Sequence, residues 1–176
     1  MLCKIKKELM SHPKYKTFRR KPSDHFFKDN RSKFSSTFKA MSKLENAVLF
    51  LKGPIEEPIY DDDMNYPVVP ENFFYYMTGC SEANTYAIYK VQEERIYLFV
   101  KLADAVKSFW EKHKTIEDMQ KEYHIDDVYK IEKLKEIFVQ EVGKDDNVLV
   151  YKGNNQYSGL PTLNVLAEYE VIIFLG

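Results

Sequence analysis

The sequence predicts an α/β domain, a mixed, roughly six-stranded β-sheet flanked by helices. Apolar runs of strand length fall at 47–51, 73–77, 85–91, 96–100, 148–151 and 171–175. Stretches with helical spacing lie between several of them, so crossover connections are expected. One pair of runs is separated only by Gln92-Glu93-Glu94-Arg95, which makes a hairpin. Parallel and antiparallel pairings are therefore expected in the same sheet.

The bulk properties suit such a domain. The chain has 176 residues, 44% of them apolar and 15% aromatic, enough for one domain with a sizeable core. A net charge of -1 argues against general affinity for nucleic acid. Cys3 and Cys80 are too few for a disulfide framework, and no apolar run is long enough to span a membrane. A reduced, soluble, cytoplasmic protein is expected.

Residues 1–23 read as a basic arm, with Lys4, Lys6, Lys7, Lys14, Lys16, Arg19, Arg20 and Lys21 standing against Glu8 alone. The arm is lysine-rich and lacks the apolar centre of a secretory signal. A solvated arm is therefore expected in preference to an organelle presequence, and contact with an acidic partner is the other use of such a run. The domain proper then spans 24–176. Ser23 or Asp24 can cap a helix running to about Lys43, in which Phe27, Phe34, Phe38 and Met41 share a stripe. The apolar run 47–51 follows as a buried strand ended by Gly53 and Pro54. Glu56, Glu57, Asp61, Asp62 and Asp63 lack the glycine and terminal glutamate of a helix-loop-helix calcium site and read as a solvated loop.

Residues 66–82 organise the remainder. Successive side chains of an extended segment point oppositely, so the four aromatics at 73–76 would serve both faces of a core strand. Pro67 and Pro70 fix its approach, and Gly79 permits the turn that follows. After the hairpin, Asp104 caps a helix with Val106, Phe109, Trp110 and His113 at helical spacing. Thr115-Ile116-Glu117-Asp118 has the form of a capping box that opens a second helix through Tyr123. A helix over 132–142 turns Leu134, Ile137 and Phe138 inward and stops at Gly143. Beyond the strand at 148–151, the loop 153–159 lacks the glycine spacing of a phosphate cradle, and 161–168 forms a helical turn. His12, His25, His113 and His124 show no metal-ligand spacing.

The order of residues says more than their composition. Glu71 and Asn72, the aromatics at 73–76, Gly79 and then Glu82 resemble the signature of the N-terminal domain of Xaa-Pro dipeptidases (prolidases) and aminopeptidases P. Asn30-Arg31 is similar to an Asn-Arg pair in that family's first helix. Leu98-Phe99-Val100 is similar to the end of its strand pair, and Ile125-Asp126-Asp127-Val128, two residues after Tyr123, to its hydrophobic, two acids, Val element. Gly153, Asn155, Ser158 and Gly159 agree with a loop of the prolidase branch, although Tyr157 stands where Asp is common. The resemblance runs from about Asn30 to Val171 and implies the same creatinase/prolidase-type mixed sheet.

The resemblance also implies a division of labour. In the family a following pita-bread domain supplies two Asp, one His and two Glu to two metal ions, commonly manganese, which activate water against the bond before proline. The chain ends where that domain would begin. No catalytic, cofactor-binding or metal-binding residue is therefore assigned in these 176 residues, and the chain alone is expected to be inactive. Two Mn ions are expected in the missing catalytic domain, and Asp126 and Asp127 become a turn that orients the next strand. Trp110, the single tryptophan, is the one site residue implied. Family members place a Trp there which, in dimeric members, reaches toward the neighbouring subunit's active site, often with a Gly where this chain has Lys112. A lone tryptophan anchoring a helix in the core is the simpler use of such a ring. The expected roles are dimer contact in a full-length homodimer and shaping of the pocket for an Xaa-Pro peptide. Two other readings stand beside this one. The first is a stand-alone protein-binding module of the same fold, like the domains of histone chaperones that resemble the family. The second is an unrelated α/β enzyme whose site is a deep polar pocket.

Overall fold

In a computed structural model, the described residues are 25–59, 65, 67–102, 114–143, 146–151 and 171–174. Their strands β1 (Ala47–Lys52), β2 (Tyr86–Lys90), β3 (Arg95–Val100), β4 (Asp127–Lys130), β5 (Asn147–Tyr151) and β6 (Val171–Phe174) form one sheet. The order across it is β4-β3-β2-β1-β5-β6. The hairpin β2–β3 and the pair β1–β2 are antiparallel, while β3–β4, β1–β5 and β5–β6 are parallel. The mixed α/β sheet expected from the sequence is thus present.

Both faces of the central strands are covered, which is why those strands read as continuous apolar runs. On one face Leu49, Leu51, Ala87, Tyr89, Leu98 and Leu149 pack beneath α1 (Phe26–Met41), α2 (Asn72–Thr78) and α3 (Ile116–Tyr123). On the other, Val48, Phe50, Ile88, Tyr97, Phe99 and Val150 pack against Phe138 of α4 (Leu134–Glu141), with Leu134 and Ile137 beside it. The inward residues expected for this last helix are the ones observed. A 3-10 turn, Ile131–Lys133, precedes it. Helix α3 opens with the expected capping box. Thr115 Oγ1 accepts from the Asp118 amide at 3.1 Å, and an Asp118 carboxylate oxygen accepts from the Thr115 amide at 3.2 Å.

Three expectations are corrected. The aromatic run at 73–77 is not a strand; it is α2. The Glu71 carboxylate takes the open amides of Phe73 and Phe74 at 2.9 and 2.8 Å, and Gly79 ends the helix in the left-handed region at φ 70. Once wound, the rings separate by helical position. Phe74 and Met77 are buried, Phe73 and Tyr76 stack at 6.3 Å, and Tyr75 faces outward. The sixth strand is instead β4, which begins at Asp127, the second of the two acids read as a turn. Met41 is 84% exposed and leaves the stripe assigned to it; α1 buries Asn30, Arg31 and Ser35 with Phe38.

The basic arm at 1–23, the Ser23 or Asp24 cap, Asp61 to Asp63, the Asp104 helix with Trp110, the 153–159 loop and the 161–168 turn lie outside the described residues.

Candidate functional site

A helix of seven residues has little stability of its own, so α2 depends on its neighbours. Two polar junctions meet at its C-terminal end.

The first junction centres on buried Arg31. Asn30 Nδ2 donates to the Tyr76 carbonyl at 3.0 Å, and Arg31 Nη1 donates to the Met77 carbonyl at 3.0 Å. Arg31 Nη2 reaches the His124 carbonyl at 2.7 Å, where α3 ends. One guanidinium therefore receives the carbonyl ends of two helices, where aligned peptide dipoles concentrate negative potential. Burial draws the Arg31 pKa below its usual value, opposed by Asp126 and Tyr89. Ser35 Oγ lies 2.6 Å from Tyr89 Oη, which donates to the Arg31 carbonyl at 3.1 Å. Burial pushes the phenol up to about 12, so it remains a donor at neutral pH. The Asn-Arg pair thus acts as a clamp that seats the motif helix.

The second junction is half-buried and follows Gly79. A Cβ at Gly79 would strike the Phe27 ring, so close packing and backbone conformation both require glycine. The chain continues through buried Cys80, whose thiol is pushed up to about 12 by burial, to Glu82. Lys114 Nζ contacts Glu82 Oε1 and Glu122 Oε2, each at 3.0 Å, and donates to Tyr123 Oη at 2.8 Å. Tyr123 Oη in turn donates to Glu82 Oε1 at 3.1 Å. The ammonium also sits 4.9 Å from the Tyr123 ring centre, a cation–π distance. Burial disfavours the charge on Lys114, but its bonds to Tyr123, Glu122 and Glu82 prevail and hold its pKa above the ordinary lysine value.

The paired acids near α3 also make structural contacts. Asp126 Oδ2 accepts from the Ile96 amide at 2.9 Å, and Asp127 Oδ2 pairs with Arg95 at 2.7 Å. They fasten the start of β4 to β3. His25 and His124, unrelated by spacing, bring their ring centroids to 6.1 Å. Among the described residues, no group of three or more His, Cys, Asp or Glu is placed to hold a metal ion. No helix among them is long and apolar enough to cross a membrane.

Trp110 lies outside the described residues; Lys114, four positions later, lies within them. The Lys114 junction was missed from sequence. The available signal was Glu82, which closes the aromatic motif and contacts both Lys114 and Tyr123.

A mixed six-stranded sheet covered on both faces, with a capped aromatic helix seated on a buried Asn-Arg pair, defines the class of domain. The family model described as aminopeptidase P, N-terminal domain, matches residues 27–151. The chain belongs to the aminopeptidase P N-terminal domain family. A probable Xaa-Pro aminopeptidase of Fusarium vanettenii is 31% identical over 84 residues, 47% of this chain and 18% of that protein. Another, of Pyrenophora tritici-repentis, is 26% identical over 109 residues, 61% of this chain and 16% of that one. Aminopeptidase P from E. coli, solved with the inhibitor Pro-Leu, superposes with a TM-score of 0.63 at 15% identity, covering 78% of this chain and 31% of that one. Proline aminopeptidase P II from Yersinia pestis gives 0.60 at 16% identity, covering 77% and 30%. At these identities the structural likeness concerns the fold. The chain spans less than a fifth of the length of these two curated relatives.

Proposed function

We propose that the chain is the non-catalytic N-terminal domain of a metal-dependent, cytoplasmic Xaa-Pro exopeptidase. It makes dimer contacts and shapes the pocket in which a catalytic domain cleaves the bond to proline. The observation that carries this reading is the family match over 27–151. Residues 24–176 form the domain and 1–23 its basic arm. The catalytic pita-bread domain lies outside these 176 residues and holds the two metal ions, manganese in this reading. Trp110 reaches the pocket of the neighbouring subunit.

The test is manganese-supported hydrolysis of Gly-Pro and of a longer Xaa-Pro peptide by the purified 176-residue chain. No turnover, with a folded circular-dichroism spectrum, is expected; metal-dependent turnover would overturn the reading. A second reading, a stand-alone protein-binding module, is favoured by the eight Lys and Arg against one Glu in the first 22 residues. Sedimentation velocity separates the two. A dimer supports the peptidase-domain reading, and a stable monomer that binds an acidic polypeptide supports the module.

A further inference from the structure

We propose that Asn30-Arg31-Ser32 accepts an N-linked glycan in the unfolded chain only, and that a glycan there prevents the domain from folding. The domain is thereby confined to compartments without N-linked transfer, whether or not it serves a peptidase. Asn-x-Ser/Thr, with x other than Pro, is the acceptor pattern for such transfer, and it ordinarily marks a surface loop. Residues 30–32 are its one occurrence in the sequence. In the structure they lie inside α1, and all three side chains are committed. Asn30 is 9% exposed, and its Nδ2 donates to the Tyr76 carbonyl at 3.0 Å. Arg31 bonds the Met77 and His124 carbonyls, and Ser32 Oγ donates to Glu94 Oε2 at 2.7 Å.

The transfer joins Asn30 Nδ2 to C1 of a lipid-pyrophosphate-linked oligosaccharide. The C1–O bond to the pyrophosphate breaks, the lipid pyrophosphate leaves, and Nδ2 gives up one of its two protons. In the folded chain that nitrogen is closed off against the end of α2, and the transfer cannot reach it. In the unfolded chain nothing holds it, because Tyr76 stands 46 positions further along. A glycosylated Nδ2 keeps one N–H, but the first sugar then needs the space beside the last turn of α2. That helix has seven residues and too little stability of its own to form without its seat. Glycan and clamp are therefore mutually exclusive.

The test produces the 176-residue chain behind a cleavable secretory signal, in a cell-free system with endoplasmic-reticulum microsomes, as the native sequence and as Ser32→Ala. Ser32→Ala removes the acceptor pattern and keeps Asn30 and Arg31, at the loss of one exposed bond. The native chain is expected to gain one endoglycosidase-sensitive glycan, and Ser32→Ala none. Once the microsomes are opened, trypsin should cut the glycosylated chain at least about tenfold faster than Ser32→Ala, because cleavage follows the open population. Equal resistance of the two, or no glycan on the native chain, overturns the proposal. If Ser32→Ala is itself trypsin-sensitive, native chain translocated with excess competing acceptor tripeptide supplies the unmodified reference. Solubilised transferase with lipid-linked oligosaccharide should modify a synthetic peptide of residues 26–36 and leave the purified folded chain unmodified. Modification of the folded chain would also overturn the proposal.

Discussion

Two cations hold helix ends in this domain, and their surroundings give them different work. Arg31 is 3% exposed and donates to two backbone carbonyls, whereas Lys114 is 36% exposed and meets two carboxylates and a phenol. The bond from Arg31 to the Met77 carbonyl is buried, and a buried acceptor without a donor carries the full cost of its lost hydration; the bond to the carbonyl of exposed His124 is part-buried. Around Lys114 water can take over most of the bonds. The buried cation decides whether the motif helix seats, and the half-exposed one ties Glu82, beyond α2, to the end of α3.

The largest effect expected from this contrast is at Arg31. Arg31→Met keeps apolar volume but strands the buried Met77 carbonyl and breaks the bond to His124, with an expected loss of about 3 kcal/mol in urea unfolding. Lys114→Met is expected to lose about 1 kcal/mol or less in the same measurement. Equal losses would erase the distinction. Gly79→Ala should fall between them, at about 2 kcal/mol, because a left-handed backbone disfavours a Cβ and the Phe27 ring must move. A smaller loss there would mean that Phe27 shifts freely.

The smallest effect sharpens the comparison with a neutral group. Cys80 lies between the two junctions, and burial raises its pKa from the ordinary 9.0 to about 12. Folding thus favours the protonated thiol. Its contribution to stability is complete below about pH 9 and is lost as pH rises toward about 12. At pH 9, iodoacetamide should leave Cys80 unmodified in the folded chain and modify it in urea, as read by peptide mass mapping. Labelling of the folded chain at the unfolded rate would show that the site opens to water.

What the sequence revealed followed how completely each element is buried. β1 and the hairpin strands are covered on both faces, and their apolar runs placed them to within a residue or two. β4 lies at the sheet edge with Val128 as its one buried side chain, so it carried no comparable run. The four aromatics of α2 fit either periodicity over so short a stretch. The deciding information lay at the ends, in the Glu71 carboxylate and the left-handed Gly79. The Asn30-Arg31 motif was visible, but its bonding partners lie 46 and 93 positions further along. No local pattern specifies such distant contacts, and the pairing of Lys114 with Glu82 was hidden for a similar reason.

The pairing of Ala47 with Asn147 at the centre of the sheet has a consequence during synthesis. One edge of β1 can close against β2 soon after the hairpin emerges, but the other must wait for residues about 100 positions later. At bacterial to eukaryotic translation rates of about 5–20 residues per second, that interval is about 5–20 s. Throughout it the nascent chain presents an apolar strand with an open row of amides and carbonyls, the kind of edge that recruits other strands. Chaperone dependence and aggregation of incomplete chains should therefore change sharply once β5 has left the ribosome.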